Sequence, residues 1–305
     1  MKRTPQVVGI IGGGGFLGRY VVRDLARQGY LVKVGSHQPE KHLDLKTSAT
    51  IGKIQLVFCD VRSKGSVDQF VDGCDVVMNL AGILFEGKNK RFETIHAQGA
   101  AFIATAAKEK GVKQLIHVSA LGIEGNRSIY AKTKLSAEES VRKIFHEAVI
   151  VRPSLIFGAE DKFFNKFAAM ALISPILPVF KGGHTEFQPV YVGDVSEALV
   201  FVVKNQVKSK IFELAGPEKY TFRDLLDMMM DVIGKARRIV PFPTIFGGLI
   251  SFFSKFIPEP LLTLDQLRLL EANSVFSGKY PGLKDLSITP HTLGEILPTY
   301  LKRFV

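Results

Sequence analysis

Apolar and polar positions alternate in blocks along the first half of the chain. Gln6 to Ile11 is a short apolar run that reads as a strand buried on both faces; a glycine cluster follows. From Arg19 to Gln28 the apolar residues recur at helical spacing, and Gly29 supplies a terminal cap. The succession then repeats, with strands expected at 31–35, 54–59, 76–80 and 114–119 and helices at 66–71 and 94–110. A helix from about Ser128 to Phe145 and a strand from Ala148 to Arg152, ended by Pro153, complete the series. This order predicts an α/β fold, a doubly wound parallel sheet with helices on both faces.

After Pro153 the alternation breaks down. Phenylalanine becomes frequent, and Pro175, Pro178, Gly182, Gly183, Pro189, Pro241, Pro243, Pro258 and Pro260 punctuate short elements. The expected organisation is a sheet domain over 1–155, with a returning segment near 185–215, and a small C-terminal substrate-side lobe over 156–305, the two forming one integrated unit. Within that lobe Phe242 to Ile257 carries Thr244, Gly248, Ser251 and Lys255 on one narrow stripe, and its opposite face is almost wholly apolar. It is shorter than the roughly 20 apolar residues that span a bilayer. Three readings stand: a lid over a greasy pocket, an interfacial helix aided by Lys255, Arg237 and Arg238, or a plain core helix.

Composition narrows the classes. With 305 residues, 46% of them hydrophobic, the chain is long enough to bury a large core, which excludes disorder. Cys59 and Cys74 have neither the spacing nor the histidine pairing of a zinc site, so no metal and a reducing compartment are expected. The net charge of +11 is spread along the chain without a nucleic-acid-binding pattern. No nucleic acid is therefore expected, and membrane or protein surfaces weigh more. Met1 to Pro5 leads directly into an apolar strand, leaving no room for a signal or transit peptide. The expected setting is the bacterial cytoplasm, peripheral on the inner membrane, or the mitochondrial matrix side for an already processed chain.

The glycine cluster carries the first chemistry. Gly12, Gly15 and Gly18 are spaced three apart between a strand and a helix. In that context Gly12 permits a tight turn, Gly15 lets the backbone approach a pyrophosphate, and Gly18 lets helix and strand pack closely. The helix N-terminus, with its unpaired amides, favours the anion. This is the dinucleotide-binding arrangement of a Rossmann fold. An acidic residue usually ends the second strand where NAD is preferred, but Gly35, Ser36 and His37 stand there. Ser36 and His37, with Arg19 or Lys41, suit a 2′-phosphate, so NADP(H) is the expected cofactor and NAD(H) the alternative; the other reading is that these are ordinary loop residues.

Further motifs join the loop. They are Gly15-Phe16-Leu17-Gly18-Arg19-Tyr20-Val21-Val22, Cys59-Asp60-Val61-Arg62, Asn79-Leu80-Ala81-Gly82, Tyr130-Ala131-Lys132-Thr133-Lys134 and Arg152-Pro153-Ser154-Leu155-Ile156-Phe157-Gly158. Together they resemble the extended short-chain dehydrogenases/reductases. The stretches Gly111 to Leu121, Phe157 to Ala168 and Gln188 to Val195 are more specific, and resemble the family of the 39 kDa accessory subunit of respiratory complex I over nearly the whole chain. The resemblance implies that Asp60 and Val61 lie beside the adenine ring and Ala81 and Gly82 beside the adenine ribose. Phe16, Leu17, Leu80, Ser119 and Pro153 complete the implied cofactor contacts. Asp60 reads equally well as a cap of the following turn.

Tyr130 and Lys134, four apart, share one face of a helix. An ammonium there can lower a phenol's pKa and bond the nicotinamide ribose, the acid/base logic of these reductases. The family's active members carry Ser or Thr two residues past the position of Ser119, where this chain has Leu121. Leucine cannot hydrogen-bond a substrate carbonyl, so polarisation of the reacting group is lost unless Ser119 or a loop residue substitutes. His96 aligns with an asparagine often found in the fourth helix, and His117 falls within a strand.

Two functions are expected from these features. The first is an NADP(H)-binding accessory protein supporting a membrane respiratory complex or docking on an anionic membrane surface, its cofactor mainly structural. The second is an NAD(P)H-dependent reductase or epimerase acting on a hydrophobic substrate such as a quinone or isoprenoid intermediate.

Overall fold

The computed structural model describes residues 6–87, 90–179, 181–241, 264–270 and 272–305. The apolar stripe expected over 242–257 lies outside the described residues.

Seven strands form a parallel sheet: β1 (Val7–Ile11), β2 (Leu31–Ser36), β3 (Ile54–Phe58), β4 (Val76–Asn79), β5 (Gln114–Val118), β6 (Val149–Pro153) and β7 (Ile211–Leu214), in the order β7-β6-β5-β4-β1-β2-β3. The order reverses beside β1, which pairs with β2 and with β4, so a crevice opens at the carboxyl ends of those strands. Alternation explains why β1 reads as continuously apolar. Val8 and Ile10 enter the core beneath α1 (Phe16–Arg27), whereas Ile11 enters the opposite core with Val77 and Leu115. The second core is closed by α2 (Lys64–Val71) and α3 (Gly99–Glu109), and by α4 (Ile129–Ile144) through Ala137 and Val141.

Helix boundaries follow their caps. Ser128 caps α4 by accepting from the Ala131 amide at 3.1 Å, and Gly29 follows α1 with φ +95°. The α1 helix begins three residues earlier than its periodicity suggests, at Phe16, because the glycine turn delivers the chain directly into it. The helix expected over 94–110 is instead a π-helical turn, Glu93–Gln98, running into α3. That departure places the His96 ring under the site.

Beyond β6, α5 (Phe164–Ile173) precedes α6 (Val192–Lys204), which packs on α1 and leads back to β7. Helix α7 (Phe222–Ile233) follows, then α8 (Leu264–Leu269) and α9 (Leu293–Leu301). Phe157, Phe164, Phe167, Phe222, Met229 and Leu297 form a third core, the destination of the phenylalanines seen in the sequence. No helix among the described residues is long and apolar enough to cross a membrane.

Candidate functional site

The glycine loop lies where β1 passes into α1. The Gly12 amide donates to the Gly35 carbonyl at 2.9 Å, and its φ is +82°. A Cβ on Gly12 would meet the Ala81 amide nitrogen at 2.9 Å, and one on Gly18 would meet Gly12 and Gly13 backbone at 2.6 Å. Both positions therefore require glycine, the first for its turn and the second for the approach of helix to strand. Gly15 is exposed and provides no side-chain cap for α1, whose first turn holds no acidic residue. Phe16 and Leu17 are half-buried at that same end. The cradle thus fits a pyrophosphate: backbone N–H donors, no competing carboxylate in the turn, and glycine where a side chain would intrude.

At the end of β2, Ser36 is half-buried and its Oγ accepts from the Gln38 amide at 3.1 Å, while His37 is exposed. Arg19 pairs with Asp44, a residue the sequence reading did not single out. Asp60 binds Arg62 twice, through its amide at 3.0 Å and its guanidinium at 2.7 Å, so the turn-capping reading of Asp60 describes this structure. Val61 is buried against Gly99.

The Leu80-Ala81-Gly82 loop is fastened from below. Asn79 Oδ1 accepts from the Ala81 amide at 3.0 Å, and its Nδ2 donates to His117 Nδ1 at 3.0 Å. That bond places the His117 proton on Nε2, which is buried without a partner among the described residues. The Ile83 amide donates to His96 Nε2 at 3.0 Å, so His96 Nδ1 carries the proton toward Thr133 Oγ1 at 3.2 Å. Thr133 in turn donates to the Tyr130 carbonyl at 3.0 Å. Burial, and then the Lys134 charge, hold both imidazoles neutral, with pKa values of about 2 for His96 and about 3 for His117.

Tyr130 and Lys134 do lie one turn apart on α4. The Tyr130 ring packs edge-on against Phe92 and His96, with centroids at 5.8 and 5.3 Å, and burial pushes its phenol up to about 12. The direction is opposite to the lowering that the four-residue spacing suggests. Lys134 is 5% exposed, donates from Nζ to the Val118 carbonyl at 3.1 Å, and is pushed down to about 8 by burial. A Cβ on Gly82 would meet Lys134 Nζ at 3.5 Å and His96 Nε2 at 3.6 Å, so the ammonium faces the loop from β4. Ser119 is buried, its Oγ unpartnered among the described residues, and Pro153 is buried on the neighbouring strand. Leu121 is 7% exposed, and its amide is tied to the Pro153 carbonyl at 2.9 Å.

A further residue reaches this helix from far away in sequence. Asp265 on α8 accepts from the Ile129 amide at 2.6 Å and the Tyr130 amide at 3.0 Å. With Ser128 on the Ala131 amide, the first three amides of α4 are all paired. Phe92, Thr133 and Asp265 were not legible as site residues, because each acts through a contact that local spacing does not encode.

Comparison with known proteins agrees with this geometry. The model of the NAD dependent epimerase/dehydratase family matches residues 8–215. NADH dehydrogenase [ubiquinone] 1 alpha subcomplex subunit 9, mitochondrial, of Arabidopsis thaliana is 34% identical over 303 residues, covering 94% of this chain and 75% of its own length. The mitochondrial NADH-ubiquinone oxidoreductase 40 kDa subunit of Neurospora crassa is 33% identical, covering 97% and 78% respectively. Among solved structures, dTDP-glucose 4,6-dehydratase of Streptomyces venezuelae, crystallised with NAD bound, superposes with a TM-score of 0.76 over 98% of this chain and 96% of its own, at 19% identity.

Proposed function

The chain belongs to the NAD dependent epimerase/dehydratase family and to the family of the alpha-subcomplex subunit 9 of mitochondrial NADH dehydrogenase, and on that premise we propose that it is an NADP(H)-binding accessory protein of a membrane respiratory complex. In this reading the nucleotide stabilises the fold and is not turned over.

Leu121 carries the proposal. A buried aliphatic side chain occupies the position where active members of the resembled group place a hydroxyl, and it cannot hydrogen-bond a reacting carbonyl. The surroundings support the same reading. The Lys134 ammonium is engaged by the Val118 carbonyl, and the Tyr130 phenol is held far from phenolate at neutral pH.

A nicotinamide dinucleotide supplies hydride chemistry when bound; the chain's own part is to hold it. Gly12, Gly15, Phe16, Leu17 and Gly18 would take the pyrophosphate on the amides of α1. Asp60, Val61, Leu80, Ala81 and Gly82 would border the adenosine, with Ser36, His37 and Arg19 at its 2′ position. Ser119, Tyr130, Lys134 and Pro153 would border the nicotinamide ribose. Sites of action that fit are the cytoplasmic face of a bacterial inner membrane or the matrix side of the mitochondrial one.

The partial exposure of Tyr130, one turn from Lys134, favours a second reading as a reductase or epimerase of a hydrophobic substrate. The two separate when nucleotide released by acid from the purified protein is identified and the protein is titrated with NADPH and NADH. Tight NADPH binding without oxidation by a ubiquinone analogue supports the accessory role, oxidation that disappears in Tyr130→Phe supports the enzyme, and binding of neither nucleotide overturns both readings.

A further inference from the structure

The segment after β2 meets the glycine loop at two points. His42 lies so close to Gly14 that a Cβ there would come within 2.4 Å of the imidazole, and its Nδ1 is buried without a partner among the described residues. Two residues on, Asp44 takes the Arg19 guanidinium with both oxygens, Nη1 to Oδ2 and Nη2 to Oδ1, the latter at 3.3 Å. Arg19 follows directly on Gly18, in the first turn of α1. The Asp44 carboxyl is held below the usual range by its hydrogen bond from Arg19, and burial, then the Arg19 charge, lowers the His42 imidazole from its ordinary value. The segment therefore seats an acid on the one arginine of the loop's opening helical turn.

An arginine fork offers paired N–H donors to two oxygens, whether of a carboxylate or of a phosphate. Asp44 stands eight residues beyond Ser36, past the strand end where an acid would accept from a ribose hydroxyl, and it is turned onto Arg19. We propose that Asp44 sets discrimination at the adenosine 2′ position by competing with a 2′-phosphate for Arg19. The inference rests on the nucleotide-binding reading given above, and not on which dinucleotide the unaltered chain prefers. Asp44 lowers the affinity for the phosphorylated form and leaves the unphosphorylated form untouched.

The test uses 2′-phospho-ADP-ribose and ADP-ribose, which carry the adenosine end alone, titrated calorimetrically into the wild-type chain, Asp44→Asn, Arg19→Gln and the double variant. Freeing Arg19 from a surface pair is expected to tighten the phosphorylated probe about two- to fivefold in Asp44→Asn. ADP-ribose affinity is expected to stay unchanged. Arg19→Gln is expected to weaken the phosphorylated probe roughly tenfold or more, and to abolish the effect of Asp44→Asn in the double variant. Unaltered thermal unfolding of each variant without probe shows that the fold is kept. No gain in Asp44→Asn overturns the inference, as does weaker ADP-ribose binding, which would make Asp44 an acceptor for the ribose. A wild-type chain that prefers ADP-ribose yet gains on the phosphorylated probe in Asp44→Asn loses the NADP(H) reading and keeps this one. Binding of neither probe by any variant overturns both.

Discussion

The Leu121 amide donates to the Pro153 carbonyl at 2.9 Å, which carries the pairing of β5 with β6 past the strand ends and sets a buried aliphatic residue there. Around it stand the elements that the proposal assigns to nucleotide binding. The glycine cradle, the Asn79-fastened loop and a buried lysine are all in place.

Replacing Leu121 with Thr should therefore cost packing and leave binding alone. A buried leucine exchanged for a smaller, hydroxylated side chain is expected to lose about 1–3 kcal/mol of stability. NADPH affinity, read by titration, should change less than about twofold, a shift worth under roughly 0.5 kcal/mol.

Lys134→Met should separate binding from stability. Burial already opposes the ammonium, so exchanging it for an apolar side chain of similar length is expected to hold or raise the unfolding temperature. Loss of a charged donor at the nicotinamide ribose should weaken NADPH about tenfold or more. Calorimetric binding and unfolding on one preparation check both parts.

Asp265→Ala should loosen α4. It strips the acceptor from the Ile129 and Tyr130 amides, for an expected loss of about 1 kcal/mol and a fall of a few degrees in Tm. Hydrogen exchange should accelerate at the first turn of α4 and leave β1 protected.

The two buried histidines should make the protein acid-sensitive. Their folded pKa values of about 2 and about 3 lie below the unfolded value of 6.5, so the unfolded chain binds more protons beneath that pH. Their contribution is present in full above about pH 6.5 and is lost as pH falls toward the folded values, at about 1.4 kcal/mol per unit for each histidine. Urea unfolding of His117→Asn across this range should show a slope shallower by about that amount.

Glu138→Ala should be the most damaging of these changes. Arg152 and Glu138 are 5% and 2% exposed and joined at 2.6 Å, so removing Glu138 leaves the buried guanidinium to the more exposed Glu124, at 2.8 Å, at a cost of about 3 kcal/mol. Exposed Lys208–Glu147, broken by Lys208→Ala, should cost under about 1 kcal/mol in the same assay.

The elements of the first half of the chain were legible because each carries its own period and punctuation. Gly29 stops α1, Ser128 starts α4, and Pro153 ends β6. The π-turn at Glu93–Gln98 was not legible, because its apolar spacing differs little from that of the α-helix it enters. Asp44 and Asp265 were missed for a different reason: their partners lie 25 and at least 135 residues away, and an acid on a loop looks solvated until the fold brings a cation or a helix end to it. The spacing of Tyr130 and Lys134 gave their shared face, but not the burial that decides their protonation.

The most direct test of the central claim is to load the purified protein with NADPH and follow reduced-nicotinamide fluorescence while a ubiquinone analogue is added. NADPH is expected to stay bound and reduced, with saturating nucleotide at about 100 times its Kd adding roughly 2.7 kcal/mol of stability. Oxidation of the bound NADPH that disappears in Tyr130→Phe would contradict it and make the chain an enzyme.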